Sequence, residues 1–304
     1  MMLIINYLFI CFIFGTTFLA IKAGIEAGVD PFLSAGLRFF LAGLVIVIYF
    51  TIRKKLSISL FFSKHLLIIG FCLTTMTFMT LYWAEQYITS GLAAVLSAFG
   101  PIIMFLLQAG KSKEKIQAIQ IIGLLLSIAG VIFISSPGLK QEVTIYWFIA
   151  TIAVIAGQLF YSIGTVMSKS FLKENEHASP FLINGIQMTI GGSFLLIFSV
   201  IFEQPSLKSL GLINVQLSLL YLIIVGSIIG HGLFYWLVSK TNPVFPSTWL
   251  YVSPVIAVLL GAIVLKENIT VVTALGAVSV LVGVFFINKR ILEEMWRKNR
   301  IKAS

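Results

Sequence analysis

Residues 82–110 read YWAEQYITSGLAAVLSAFGPIIMFLLQAG, and their pattern returns 153 positions later in YWLVSKTNPVFPSTWLYVSPVIAVLLGAIVLKENIT, residues 235–270. At that offset Tyr82-Trp83 falls on Tyr235-Trp236, Pro101 on Pro254 and Lys113-Glu114 on Lys266-Glu267. Without a gap, Gly123 then meets Gly276, Gly130-Val131 meets Gly283-Val284 and Phe133 meets Phe286. Apolar matches arise by chance in so hydrophobic a chain, whereas Trp, Pro, Glu and paired Gly at one offset are far rarer. An offset of 149 aligns the earlier part: Gly15-Thr16 with Gly164-Thr165, Pro31-Phe32-Leu33 with Pro180-Phe181-Leu182, Gly36 with Gly185 and Gly43 with Gly192. The chain therefore reads as two repeats, 1–137 and 138–288, meeting near Ser136-Pro137-Gly138 and followed by a basic cytoplasmic tail, 289–304.

Composition names the solvent of these repeats. Of 304 residues, 59% are hydrophobic and 11% charged, and the mean hydropathy is +1.05. Water-soluble domains carry roughly 25% charged residues, so most of this surface must meet lipid. A hydrocarbon core of about 30 Å needs about 20 apolar residues in a helix. Runs of that kind are predicted near 3–23, 32–52, 66–84, 90–110, 116–135, 144–168, 180–202, 213–237, 246–265 and 271–288. They are continuous rather than alternating, which selects helices over barrel strands. The first run has no basic flank and no small-residue cleavage site, so it is read as a span and not a removed signal. Cys11 and Cys72 both fall inside spans and imply no disulfide framework.

Five spans per repeat is an odd number, so the second repeat must enter from the opposite face. The expected fold is an all-α integral membrane bundle of ten transmembrane helices, an inverted repeat of two five-helix halves. Such repeats underlie alternating access in many secondary transporters. The net charge of +10 fits this topology better than a nucleic-acid partner. With a cytoplasmic N-terminus, 16 Lys and Arg fall on the inner side, among them Arg53, Lys54, Lys55, Lys169, Lys173 and the tail residues. Only Lys22, Arg38, Lys140, Lys208 and Lys266 fall outside or in the outer half. The positive-inside rule then puts both termini in the cytoplasm of a multi-pass cell-membrane protein.

The opening segments FGTTFLAIKAG (14–24) and DPFLSAGLRFFLAGL (30–44), together with the two stretches quoted first, resemble the EamA family of the drug/metabolite transporter superfamily. The resemblance runs from about residue 5 to 288, and the whole set in order is more specific than any one motif. It implies ten helices, paired repeats and movement of small metabolites, often export. It also implies a basic residue at the positions of Lys22 and Arg38, without giving either a role.

Residues of unexpected type within spans are the candidates for a substrate pathway. Pro101 and Pro254 each remove a backbone donor and interrupt a helix, and they do so at matched positions; they either shape packing or line a midplane site. Lys22 lies close enough to the outer end of its helix to snorkel. Arg38 lies about 10 Å deep by helical rise, where a charge is costly unless it faces protein or water. It is read as facing inward, to attract an anionic group or pair with an acid. Glu85 ends the third span and is either a solvated loop acid or a carboxyl withdrawn from water, with a raised pKa and a part in proton exchange. His231 is a proton relay or a packed histidine. Gln187 aligns with Arg38 and joins the candidates, whereas Asn184, Gln108 and Gln158 are assigned to inter-helix hydrogen bonds. Tyr82, Trp83, Tyr235, Trp236, Trp249 and Tyr251 form interface belts or a pocket wall suited to a flat, partly apolar solute. Glu114 and Glu267 are read as helix-start acids favoured by the helix dipole.

No clustered His, Cys or acids suggest a metal, no Gly-rich P-loop suggests ATP, and no nucleophile elbow suggests hydrolysis. No cofactor or catalytic residue is expected. The sequence thus points to a non-enzymatic carrier of a small-molecule solute, an exporter using alternating access with proton coupling. A membrane enzyme acting on lipid or isoprenoid substrates stands as the rival. The C-terminal RILEEMWRKNRIKAS (290–304) is read as a topogenic tail, or as a segment that lies on anionic lipid.

Overall fold

A computed structural model describes residues 2–56, 58–112, 117–135, 144–264 and 270–301, and no strand occurs among them. The first half holds α1 (Met2–Glu26), α2 (Pro31–Ile52), α3 (Lys64–Ala84), α4 (Ser90–Gln108) and α5 (Ala118–Ser135). The second holds α6 (Ile145–Glu174), α7 (Pro180–Phe202), α8 (Ile213–Lys240), α9 (Trp249–Val264) and α10 (Val271–Ile301). Among the described residues, eight helices are long and apolar enough to cross a membrane; α5 and α9 are shorter apolar helices. Large apolar side chains such as Leu125, Val200, Phe202 and Leu275 lie exposed on the bundle's outside, as lipid contact requires. The expected repeat junction at 136–138, Lys113-Glu114 and Lys266-Glu267 lie outside the described residues. The basic stretch after 288 continues α10 as helix through Ile301, with Lys289 and Glu293 4.0 Å apart one turn on.

Helix starts follow local chemistry. Pro31 and Pro180 sit in the first turns of α2 and α7, where a missing N–H leaves no bond unmade. Thr89 and Thr144 cap α4 and α6 by accepting from Leu92 N at 3.2 Å and Trp147 N at 3.1 Å. The start of α2 lacks such a cap from Asp30; Glu203, just past the end of α7, replaces it. Its Oε1 accepts from Phe32 N at 2.6 Å, and its Oε2 accepts from Leu33 N at 3.0 Å and the Ser199 hydroxyl at 2.8 Å. Asp30 in turn accepts from Ser206 N at 3.1 Å, so three bonds fasten the start of α2 to the end of α7.

α2 lies along α7 and α5 along α10, pairs that the 149- and 153-residue offsets align. α3 packs on α6 and α8 on α1, and α4 on α6 as α9 on α1. At the α5–α10 crossing a Cβ on Gly123 would stand 2.7 Å from Gly283 O, and one on Gly130 2.5 Å from Gly276 O. Contacts that advance along one helix and retreat along the other make the pair antiparallel. The α2–α7 contacts, Gly36 with Leu196 and Gly43 with Thr189, run the same way.

Two helices carry wide π turns, Gly70–Met76 in α3 and Leu222–His231 in α8. The 153-residue offset superposes most of one on the other. Such turns displace side chains from the regular helical register and are frequent at functional sites.

Candidate functional site

At the centre, α1, α2, α3, α4, α6, α8 and α9 surround a small space of about 40 Å³. The first half supplies Phe14, Thr17 and Phe18 from α1, Arg38 from α2, Phe78 from α3 and Ser97 from α4. The second supplies Gln158 and Tyr161 from α6, His231 and Phe234 from α8, and Trp249 and Leu250 from α9. Its volume is room for a few waters, so a solute enters only as the surrounding helices part.

Arg38 is its charged group and is 1% exposed. Its Nε donates to Ser227 Oγ at 2.9 Å and its Nη1 to Tyr82 OH at 3.1 Å. The guanidinium carbon stands 4.6 Å from the Phe39 ring centroid and 5.3 Å from that of Phe78. Gly226, in the π turn of α8, lets the helix approach: a Cβ there would meet Arg38 Nη2 at 3.1 Å. Among the described residues no carboxylate lies within 4.0 Å of Arg38. Taking a cation out of water costs several kcal/mol. Each cation–π contact returns about 0.5–2 kcal/mol and each bond to a charged group about 1.5–3 kcal/mol. The two hydroxyls and two rings hold the charge without neutralising it.

Aromatic rings form the rest of the wall. His231 stands among Phe14, Phe39 and Phe78 at centroid distances of 5.0, 5.5 and 5.7 Å. Trp249 packs on Phe14 at 4.5 Å and donates Nε1 to Tyr161 OH at 3.3 Å. Gln158 donates Nε2 to Ser97 Oγ at 3.4 Å, while its buried Oε1 finds no donor.

A second buried cluster lies at the end of α3. Glu85, the first residue past Ala84, is fully buried, and neither of its carboxyl oxygens is hydrogen-bonded. Burial pushes its carboxyl well above the ordinary range, against the pull of Lys22 and Arg38. Lys22 Nζ donates to the Glu85 backbone oxygen at 2.6 Å and stands 3.9 Å from the Glu26 carboxylate.

Of the residues singled out by sequence, Arg38, His231 and Trp249 meet in the cavity wall, and Tyr82 stands behind Arg38. Lys22 and Glu85 form the neighbouring cluster. Trp83 faces a separate groove with Tyr87, Asp30 and Glu203. Gln187 accepts from Thr74 Oγ1 at 2.7 Å and donates to Asn184 Oδ1 at 3.0 Å, bridging α7 to α3 away from the cavity. Tyr235 bonds Ser168 at 2.9 Å, and Trp236 and Tyr251 lie outside the wall. Pro101 and Pro254 are buried and do not line this cavity; Ser97 and Leu250, about one turn earlier, do. Pro101 follows a break at Ala98-Phe99, whereas Pro254 sits inside the helix that starts at Trp249. Sequence reasoning missed Phe14, Thr17, Phe18, Phe78, Tyr161 and Phe234, and gave Gln158 only a packing role. Phe78 carried a signal, since the 153-residue offset places it on His231.

The model of the EamA-like transporter family matches residues 1–136 and 146–289. The uncharacterized transporter YoaV of Bacillus subtilis is 28% identical over 275 residues, covering 90% of this chain and 92% of its own. The uncharacterized inner membrane transporter YedA of Escherichia coli K12 is 27% identical over 252 residues, covering 82% of this chain and 78% of its own. A crystal structure at 17% identity superposes with a TM-score of 0.76 over 95% of this chain and 98% of that one, which speaks for the fold alone.

Proposed function

Because this chain belongs to the EamA-like transporter family, we propose that it is a secondary active carrier that moves a small solute out across the cell membrane by alternating access, coupled to protons. One observation carries the reading: a ring-lined cavity around a buried, carboxylate-free Arg38, walled by both halves. A site shared between two bodies changes sides when one rocks against the other.

The accompanying architecture is ten membrane helices in an inverted repeat, with both termini cytoplasmic. Its support is the antiparallel contact of α2 with α7 and of α5 with α10, each pair repeat-related. The asymmetry of Lys and Arg supports the placement of the termini. Proton coupling draws its support from Glu85, whose buried oxygens lack any partner except through space from Lys22 and Arg38. Export follows the family resemblance.

The test is a metabolite profile of cells and medium with and without expression of the protein. A solute enriched in the medium on expression, and no longer enriched with Arg38→Gln at equal membrane abundance, is the expected result. Unchanged profiles in expressing cells would contradict the carrier. A new product without a change in distribution would favour the membrane-enzyme rival.

A further inference from the structure

We propose that the solute is a small organic anion, a single carboxylate on an aromatic or similarly flat apolar body, seated with its carboxylate on Arg38 and its body against the rings of Phe14, Phe78 and Trp249. The inference rests on the carrier reading and adds a chemical class to it.

Three observations converge. Arg38 has five N–H donors, and among the described residues two of them are bonded, both to neutral hydroxyls. A carboxylate is the group whose geometry and charge complete a guanidinium, through two parallel bonds. The wall itself supplies no such group, since Glu85 lies outside it. The space beside Arg38 is bounded by ring faces and edges, with Phe14 4.5 Å from Trp249 and 5.0 Å from His231. These rings favour a flat partner by offset or edge contacts.

The same wall discriminates against positive charge. No carboxylate lines it to receive an ammonium, and Arg38 would repel one at close range in a low dielectric. An amine of the same skeleton is therefore rejected. A zwitterionic amino acid is handicapped, because its ammonium must sit beside its carboxylate and so near Arg38. Ser97 and Gln158, across the space, supply neutral hydrogen-bonding groups that suit a hydroxyl or amide on the far end of the solute.

The experiment is a charge series on one skeleton. Full-length protein in liposomes at neutral pH is assayed with radiolabelled 3-phenylpropanoate, phenylalanine, 3-phenylpropanamide and phenethylamine, each against protein-free liposomes. The anion is expected to move at least about tenfold faster than the amine, the amide and the zwitterion, as the loss of one charge-assisted bond requires. Arg38→Gln should collapse that preference; where this variant fails to fold, the wild-type series decides alone. Faster movement of the amine or the zwitterion would overturn the anion assignment and leave the carrier standing. No movement of any of the four, while the metabolite profile still shows an exported solute, would overturn it too. A profile with no exported solute would sink the carrier itself.

Discussion

Arg38 Nε donates to Ser227 Oγ at 2.9 Å, tying α2 to the π turn of α8 across the two halves. The repeat offsets carry Arg38 onto Gln187 and Ser227 onto Thr74, and those two are bonded at 2.7 Å across α7 and the π turn of α3. The same contact thus occurs twice in the bundle, once with a cation and once with a neutral amide. The charged contact sits beside the cavity; the neutral one lies in the packing of α7 on α3.

This difference predicts opposite outcomes for the two members. Arg38→Gln should leave the protein folded and reduce flux at least about a hundredfold, since it removes two or more bonds to charge. Gln187→Leu should cost about 1–3 kcal/mol of stability by orphaning Thr74 while keeping more than half of wild-type flux. Measuring thermal unfolding and liposome flux on both variants checks the pair; equal flux losses would place Gln187 in the pathway.

Glu85 sets the pH response. Its folded pKa stands above 4.5 because its carboxyl is buried, so its favourable protonated form is present at low pH and ionisation lowers stability as pH rises through the raised value. Glu85→Gln should therefore match the wild type at acid pH and gain in melting temperature over it at higher pH. Flux in the variant should lose its dependence on a proton gradient. A gradient-driven flux that survives in Glu85→Gln would remove the residue from coupling.

Glu203 is half-buried and clasps the start of α2. Burial pushes its carboxyl above 4.5; the bonds from Phe32, Ser199 and Leu33 pull it back, and Asp30 pushes it up again. With the net shift upward, its ionisation also subtracts stability as pH rises. Glu203→Ala removes the acceptor of two helix-start N–H groups and should cost about 0.5–2 kcal/mol. The loss should appear at all pH values in a melting series, and its absence would mean that water caps α2 equally well.

Close helix approach at α5–α10 is equally exposed to test. A methyl at Gly130 would meet Gly276 O at 2.5 Å and Val280 Cγ2 at 2.7 Å. Gly130→Ala should destabilise by about 1–3 kcal/mol through overpacking, read as a lower melting temperature in detergent. Tags after Leu56 and Ser206 should report opposite membrane faces; tags on one face would contradict the inverted arrangement.

Much of the scaffold was legible because lipid imposes a length: the runs read as α1, α2, α7 and α8 coincide with the observed helices within a few residues. Gly123, Gly130, Gly276 and Gly283 stood out in the sequence at one offset, although their partners did not. The equivalent glycines do not meet; Gly123 meets Gly283 because the helices run in opposite directions. Arg38, His231 and Trp249 stood out because each is unusual in an apolar span. Phe14 and Phe78 did not, since lipid-facing positions such as Phe9 and Phe12 carry the same residue. Only the helix's orientation separates a ring in the cavity from one in lipid. The prolines were legible as interruptions at matched positions, but Ser97 and Leu250, about a turn earlier, are the residues of α4 and α9 in the cavity wall.

The most direct measurement of the central claim is solute flux through purified protein in liposomes, comparing wild type with Arg38→Gln at equal incorporation. Saturable flux in the wild type that falls to the protein-free level in the variant is the predicted result. Equal flux through both would show that the solute does not pass Arg38, and the cavity would lose its role.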